Sequence, residues 1–251
     1  MTATLVLKYE GINLASFIYA VSCGGMENMM KHEFSISLMC ADYLNLKEQL
    51  TQLNEKADYY HVDIMDGHFC KNITLSPDYI RGIKGITKLP IEAHLMVENP
   101  NDFIGMVADA GVDVISVHAE TINRDAFRIL NSIQSKGLQV GVALNPATPL
   151  EAIQYYASRL DVLTIMTVDV GYAGQPFIPE MLDKIKKARQ WKEEFGYTYK
   201  IQIDGSCNEK TFARLKEAGG EMFILGSSGL FSLDDDVAMA YEKMEKIFEN
   251  S

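Results

Sequence analysis

The sequence lacks the features typical of secreted, nucleic-acid-binding and membrane-spanning proteins. Its four cysteines form no CxxC pair, and 251 residues can bury a large core without disulfides, so we expect reduced cytoplasmic thiols. With 23 basic and 34 acidic residues, the net charge of -11 argues against binding to nucleic acid or an anionic membrane. No apolar run approaches the roughly 20 residues that a transmembrane helix needs.

The first 29 residues do not follow the pattern that the rest of the chain repeats. Their apolar run, residues 12–23, is preceded by one basic residue, Lys8, which is a poor start for a signal peptide. A secretion signal is therefore the less favoured alternative. We expect residues 1–29 to be an N-terminal extension, either disordered or the product of a misassigned start codon, and residues 30–251 to form one domain.

From residue 34 onward, short strand-like segments alternate with longer amphipathic segments. Strands that alternate with helices form a parallel sheet with right-handed crossovers. About eight such units in roughly 220 residues predict a single (β/α)8 TIM barrel. The predicted strands are residues 34–38, 58–64, 90–97, 112–119, 138–144, 161–168, 199–204 and 222–226.

Local motifs mark several helix boundaries. Gly111, Gly137 and Gly219 follow the ends of predicted helices, where glycine adopts a left-handed conformation without strain. The segment TPLE at residues 148–151 matches a threonine N-cap, a proline at the first helical position and a capping-box glutamate. It therefore predicts the start of a helix.

Polar side chains occupy one face of several predicted strands, and apolar side chains occupy the other. Since side chains alternate along a strand, the apolar face packs against the helices and the polar face points into the barrel. Buried polar groups are costly unless they are hydrogen-bonded or coordinated, so this pattern predicts a ligand site. The inward-facing residues are His61, Asp63, Glu92, His94, Ser116, His118, Gln202 and Asp204.

Four of these residues predict a metal site at the carboxyl ends of the strands, where barrel active sites lie. His61, Asp63, His94 and Asp204 offer two imidazoles and two carboxylates, which suit one divalent ion: zinc, cobalt, manganese or iron. No organic cofactor is expected. His118 either supports these ligands or only lines the wall, and both alternatives stay open.

Loops rich in glycine and serine follow the sixth, seventh and eighth strands. Small residues let backbone amides approach an anion, and phosphate sites in such barrels use the last loops. These loops therefore predict a phosphate site. Its residues are Gly171, Tyr172, Ala173, Gly174, Gly205, Ser206, Gly226, Ser227 and Ser228.

Two features that the sequence lacks reduce the number of reactions that such a barrel could catalyse. No lysine stands at the end of a predicted strand, which argues against a Schiff-base aldolase, and the first strand lacks the HxH pair of a metal-dependent hydrolase barrel. A metal that polarises a carbonyl beside two carboxylates suits proton abstraction next to a ketone. A metal-stabilised enediolate would then be reprotonated from the opposite face.

These motifs resemble the ribulose-phosphate 3-epimerase family over residues 34–248. The resemblance implies an isomerase in which Asp63 and Asp204 are the acid/base pair and also bind the metal with His61 and His94. The matching segments are SISLMCADY, HVDIMDGHF, HLMVENP, VHAE, LNPATPLEAI, GYAGQPFIPEML and IDGS.

The resemblance also implies the surroundings of the substrate. Ser37 and His94 would contact the sugar, and the three loops would hold the sugar and its phosphate. Met65, Met96 and Met166 would line the site near the reacting carbons, although methionine is equally common in a plain core. Relatives are commonly homo-oligomers, so we expect one here.

Details within the motifs are most similar to family members that act on D-allulose 6-phosphate. These details are Leu38-Met39-Cys40, Thr167-Val168-Asp169, Gln175-Pro176-Phe177 and Ser206-Cys207-Asn208. We therefore expect 3-epimerisation of D-allulose 6-phosphate to D-fructose 6-phosphate. The alternatives are epimerisation of D-ribulose 5-phosphate to D-xylulose 5-phosphate and a non-catalytic barrel that binds phosphosugars.

Two positions depart from the family pattern. Ile36 and Val170 stand where the family usually has proline. Neither change removes a catalytic group. Val170 is expected to loosen or redirect the loop after the sixth strand.

Overall fold

The protein forms a closed eight-stranded parallel barrel. The computed structural model describes residues 32–251, and the predicted N-terminal extension, residues 1–29, lies outside them. Each strand pairs with the next in sequence, and β1 pairs with β8 to close the barrel. The predicted single (β/α)8 TIM barrel is therefore confirmed.

All eight predicted strands are present, and their ends differ from the predicted ends by at most two residues. The strands are β1 Glu33–Ser37, β2 Tyr59–Met65, β3 Ile91–Met96, β4 Val114–His118, β5 Gln139–Leu144, β6 Val162–Met166, β7 Lys200–Asp204 and β8 Met222–Leu225. The α-helices of residues 32–251 are α1 Leu46–Leu53, α2 Pro77–Lys84, α3 Asn101–Ala110, α4 Ala119–Ile122, α5 Ala126–Gln134, α6 Met181–Phe195, α7 Phe212–Ala218 and α8 Val237–Glu249. None of the helices in this range is both long and apolar enough to cross a lipid bilayer.

The alternation of side chains along the strands separates the core from the barrel interior. Outward-facing residues such as Val62, Ala93 and Ile203 are fully buried against the helices, where they form the apolar core. Inward-facing Glu92 and Gln202 are also buried, and the two side chains hydrogen-bond to each other across the barrel. The prediction that the polar face points inward is confirmed.

The glycine stop signals are confirmed. Gly111 and Gly219 follow α3 and α7 in the left-handed conformation, with φ of 97° and 112°. Gly137 lies three residues after the end of α5, and its N–H donates to the carbonyl oxygen of Gln134. All three glycines have a positive φ, at which a residue with a Cβ would be strained.

The predicted capping box at residues 148–151 is wrong. A 3-10 helix, Leu150–Ile153, begins there, and no side chain caps it. The Thr148 hydroxyl donates to the Glu120 carboxylate, and Glu151 forms an ion pair with Lys187. Both side chains bind partners from other elements and therefore do not cap the backbone of this 3-10 helix.

Candidate active site

The four predicted metal ligands meet at the carboxyl ends of three strands. His61 and Asp63 lie on β2, His94 on β3 and Asp204 on β7, with one donor atom from each inside a cluster whose members are all within 4.8 Å. The register of the sheet explains part of this convergence, because Asp63 is paired directly with His94.

The spacing of the donor atoms fits a small divalent cation. His61 Nε2 lies 3.2 Å from His94 Nδ1 and 3.3 Å from Asp63 Oδ1. His94 Nδ1 lies 3.4 Å from Asp63 Oδ1 and 3.5 Å from Asp204 Oδ2. Ligands bound tetrahedrally at about 2.1 Å are about 3.4 Å apart, so these four distances are close to those of such a site. The separation of His61 Nε2 from Asp204 Oδ2 is longer, 3.9 Å.

The electrostatics of the cluster also favour a cation. Burial lowers the pKa of His61, but the Asp63 and Glu92 carboxylates beside it raise that pKa well above its usual value. Burial lowers the pKa of His94 too, and hydrogen bonds with Asp204 and Asp63 raise it overall. Burial raises the pKa of Asp63, and the adjacent His61 lowers it below its usual range. Both imidazoles therefore lie in a negative potential.

The outer nitrogen of each ligand histidine also has a buried partner. His61 Nδ1 lies 3.0 Å from Glu92 Oε2. His94 Nε2 lies 2.9 Å from His118 Nε2, and His118 Nδ1 lies 3.3 Å from Glu120 Oε2. Of the two alternatives for His118, these contacts favour support of a ligand over simple lining of the wall.

A cavity opens directly above the cluster, and Asp63 and Asp204 form part of its wall. Ser37 also lines this cavity, and its hydroxyl donates to Asp63 Oδ2 at 2.8 Å. His61 and His94 are fully buried and do not line the cavity, so the predicted contact of His94 with the sugar stays a prediction. The structure also brings the other predicted substrate residues to this wall: Met65, Met96, Met166, Gly171, Tyr172, Ala173, Gly174, Gly205, Ser206, Gly226, Ser227 and Ser228.

The loop after β7 adopts a backbone conformation that favours small residues. Gly205 has a φ of 117°, and a Cβ there would lie 2.7 Å from a methyl group of Val168. Ser206 also has a positive φ, 49°, which costs a residue with a side chain about 1–2 kcal/mol. Its hydroxyl donates to the carbonyl oxygen of Gln175 at 2.6 Å, a bond that offsets part of this cost and joins the loops after β6 and β7.

The two positions that depart from the family pattern have different surroundings. Ile36 is fully buried in β1 between β8 and β2. Val170 packs against a small apolar cluster that contains Met65 and Met96. Its loop is also tied to the loop after β2, because Asn72 Nδ2 donates to the carbonyl oxygen of Gly171 at 2.8 Å. The predicted loosening of this loop stays a prediction.

Several site residues were not assigned a role from the sequence. Glu92 and Glu120 contact the histidines, and the alternation that identified His94 also turns Glu92 inward. The signal for Glu92 was therefore present in the sequence, whereas the contact of Glu120 with His118 depends on the turn after β4. The cavity is additionally lined by Met39, Cys40, Val168, Asp169, Gln175, Cys207 and Ile224.

Comparison with known proteins identifies the family. The sequence profile described as "Ribulose-phosphate 3 epimerase family" matches residues 33–231. The chain belongs to the ribulose-phosphate 3-epimerase family. It is therefore an isomerase, an epimerase of sugar phosphates, as the resemblance of its motifs implied.

Individual relatives agree with this assignment. The ribulose-phosphate 3-epimerase of Methanocaldococcus jannaschii is 40% identical over 200 residues, covering 79% of this chain and 84% of the relative. That of Bacillus subtilis is 37% identical over 194 residues, covering 76% and 89%. The solved structure of 3-hexulose-6-phosphate synthase from Salmonella typhimurium shares the fold, with a TM-score of 0.65 at 16% identity, over 87% of this chain and 99% of that chain.

Proposed function

We propose that this epimerase is metal-dependent and converts D-allulose 6-phosphate to D-fructose 6-phosphate by inverting carbon 3. The observation that carries the proposal is the convergence of Asp63 and Asp204 with two imidazoles beneath one cavity. Family membership supports the epimerase chemistry. The glycine- and serine-rich loops around the same cavity support a phosphate group on the substrate.

The donor set fits one divalent metal ion per subunit, and we propose zinc, cobalt, manganese or iron. His61, Asp63, His94 and Asp204 would hold it, because mixed nitrogen and oxygen ligands at this spacing suit these ions. When bound there, such an ion would supply a positive charge that polarises the ketone carbonyl and favours loss of the adjacent proton. We propose no organic cofactor, since proton transfer next to a polarised ketone requires none.

The two carboxylates would exchange protons with carbon 3 from opposite faces of the substrate. Asp63 belongs to β2 and Asp204 to β7, and β1 and β8 separate these strands around the barrel. Since the carboxylates approach from different sides, one can remove the proton from carbon 3 while the other delivers a proton to the opposite face. The hydroxyl of Ser37 fixes the orientation of Asp63 beside the sugar.

A connected group of residues supports the six-carbon substrate. The positions that resemble the allulose-phosphate enzymes contact one another and the proposed phosphate loops: Ser206 bonds to the Gln175 carbonyl, and Asn208 Nδ2 donates to the Ser228 hydroxyl at 3.0 Å. A Cβ on Gly226 would lie 3.1 Å from the sulfur of Cys40. A hexulose phosphate has one more carbon between carbon 3 and the phosphate than a pentulose phosphate has. Positions that resemble the allulose-phosphate enzymes and lie in or beside the phosphate loops therefore suit the longer substrate.

The second candidate substrate is D-ribulose 5-phosphate, which would be converted to D-xylulose 5-phosphate. The names of the curated relatives favour it, since those with 40% and 37% identity are ribulose-phosphate 3-epimerases. A non-catalytic barrel is disfavoured, because the complete ligand set and both carboxylates are present.

A substrate panel tests this proposal. The purified protein is reconstituted with each metal, its metal content is measured by elemental analysis, and kcat/KM is determined for both ketose phosphates. The two substrates differ by one CHOH unit, and even a single methylene group gives about tenfold discrimination, so we expect a preference for D-allulose 6-phosphate of at least about tenfold. The opposite preference would support the five-carbon alternative. A metal-loaded protein that converts neither substrate would overturn the proposal.

We also propose a cytoplasmic homo-oligomer that has a small sugar phosphate as its ligand and binds neither nucleic acid nor membrane. The net charge of -11 and the unpaired Cys40 and Cys70 support this proposal. Phe127 and Tyr155, two exposed side chains that line the same surface depression, support contacts between copies. Light scattering across a range of protein concentrations tests the oligomer, and a monomer throughout would contradict it.

A further inference from the structure

Glu92 is a carboxylate enclosed in the barrel interior, below the four proposed ligands. Only 1% of its surface is exposed, and burial of an unpaired charge at such a position would be very costly. Three donors from three strands surround it: His61 Nδ1 at 3.0 Å, Ser116 Oγ at 2.5 Å and Gln202 Nε2 at 2.6 Å. The carboxylate is therefore held firmly in one orientation.

The contact between Glu92 and His61 determines which ring nitrogen of His61 is available to a cation. A carboxylate oxygen accepts hydrogen bonds, so the Nδ1 of His61 carries the proton that it shares with Glu92. In the neutral ring the lone pair is then on Nε2, the nitrogen that lies 3.3 Å from Asp63 Oδ1 and 3.2 Å from His94 Nδ1. Glu92 thus selects the tautomer in which His61 can bind a cation inside the cluster.

The orientation of Glu92 depends in turn on Gln202. The hydroxyl of Thr164 donates to Gln202 Oε1 at 2.6 Å, so the amide oxygen faces Thr164 and the NH2 group faces Glu92. Contacts that run from β6 through β7 to β3 therefore fix the carboxylate before any ligand binds.

We propose that Glu92 is a positioning residue for the metal site. It holds the His61 ring with Nε2 directed at the ion, and it makes this nitrogen a stronger electron-pair donor to the metal. Partners of this kind on metal-binding histidines contribute about 10–100-fold to metal affinity. The proposal rests on the proposed metal dependence of the site. It assigns Glu92 no direct contact with the substrate.

Metal titration of the apoprotein tests the role of Glu92 without reference to turnover. Co²⁺ is titrated against a competing chelator, and its d–d absorption reports both affinity and ligand geometry. We expect Glu92→Gln, which keeps the shape but loses the charge, to bind Co²⁺ about 10–100-fold more weakly with an altered spectrum. Glu92→Asp keeps the carboxylate and should show a smaller loss of affinity.

Ser35→Ala is the matched control. Ser35 shares the inward face of β1 with Ser37, is fully buried, and its hydroxyl has no hydrogen-bond partner in the described structure. Ser35→Ala therefore removes a buried hydroxyl but no hydrogen bond of Glu92, and the Co²⁺ affinity should stay at the wild-type value. The melting temperature of each apoprotein separates damage to the fold from loss of positioning.

The outcomes distinguish this inference from the proposed function. Equal Co²⁺ affinity of wild type and Glu92→Gln would overturn the positioning role alone. The positioning role would also be overturned if Glu92→Gln and Glu92→Asp lost Co²⁺ affinity equally and both apoproteins melted at a lower temperature than wild type. A wild-type protein that binds no Co²⁺ would overturn both this inference and the proposed metal site.

Discussion

The two histidines of the proposed metal site direct different ring nitrogens at the centre of the cluster. His61 does so through Nε2 and His94 through Nδ1, since their other nitrogens are bonded to Glu92 and His118. Burial lowers the pKa of His118 to about 4, although the hydrogen bond that its ring donates to Glu120 opposes this shift, and His118 is therefore neutral at pH 7. Its Nδ1–H can then donate to Glu120 while Nε2 accepts from His94, which leaves the His94 Nδ1 free for a cation.

Neutralising either acid/base carboxylate tests the mechanism. We expect Asp63→Asn and Asp204→Asn each to lower kcat/KM by at least about 10²-fold, because an amide cannot accept the proton from carbon 3. Asp109→Asn, the same change at an exposed position on α3, should retain wild-type turnover. Steady-state kinetics of the metal-loaded proteins make the comparison, and normal turnover in either active-site variant would contradict the two-carboxylate mechanism.

At the scale of the elements, β4 and β5 pack so closely inside the barrel that one of them needs a glycine. Ser116 of β4 is paired with Gly141 of β5. A Cβ on Gly141 would lie 1.8 Å from Ser116 Oγ and 2.8 Å from Ser116 Cβ, so no rotation of the serine alone would relieve the clash. The missing side chain leaves room for the serine hydroxyl that donates to Glu92.

Alanine at two glycine positions separates this close contact from ordinary helix propensity. Gly141→Ala should lower the free energy of unfolding by about 1–3 kcal/mol, the usual cost of overpacking a core. Gly105→Ala, in the middle of α3, adds a Cβ with no atom within 4 Å apart from its chain neighbours and its own helix backbone. This change should raise the free energy of unfolding by about 0.5–1 kcal/mol. Urea unfolding of the two apoproteins measures both changes, and similar values for the two variants would contradict the proposed contact.

At the scale of the whole molecule, closure of the barrel assembles the site. β2 and β7 are far apart in sequence, and β1 and β8 lie between them in the sheet. Pairing of β1 with β8 therefore brings Asp204 to Asp63 and the two histidines. A cation bound by residues from both sides of this closure should stabilise the entire fold.

Metal addition tests this coupling between the site and the fold. A ligand that binds only the folded state stabilises it by about 2.7 kcal/mol at a concentration of 100 times its Kd. We expect Zn²⁺ or Co²⁺ to raise the melting temperature of the apoprotein in a concentration-dependent way. Ca²⁺ prefers six to eight oxygen ligands and should have little effect, which makes it the control. Equal midpoints with and without Zn²⁺ and Co²⁺ would contradict metal binding at this site.

The sequence by itself determined the barrel and the inward polar face, and it identified the three small-residue loops and the four polar residues that converge at one end of the barrel. These follow from local rules, because side chains alternate along a strand, and the carboxyl ends of parallel strands meet at one end of a barrel. His61 and Asp63 are two residues apart, so even their shared direction was fixed locally. The left-handed glycines Gly111 and Gly219 were predictable for the same reason.

Only the tertiary structure decided which partners the polar side chains take. Thr148 and Glu151 match a capping box in sequence, yet Glu120 and Lys187 reach them across the fold and engage their side chains. The choice of ring nitrogen on His61 likewise depends on Glu92, which β3 brings alongside β2. Hydrogen bonds and ion pairs act over a few ångströms of space, so their assignment requires the distances that folding sets.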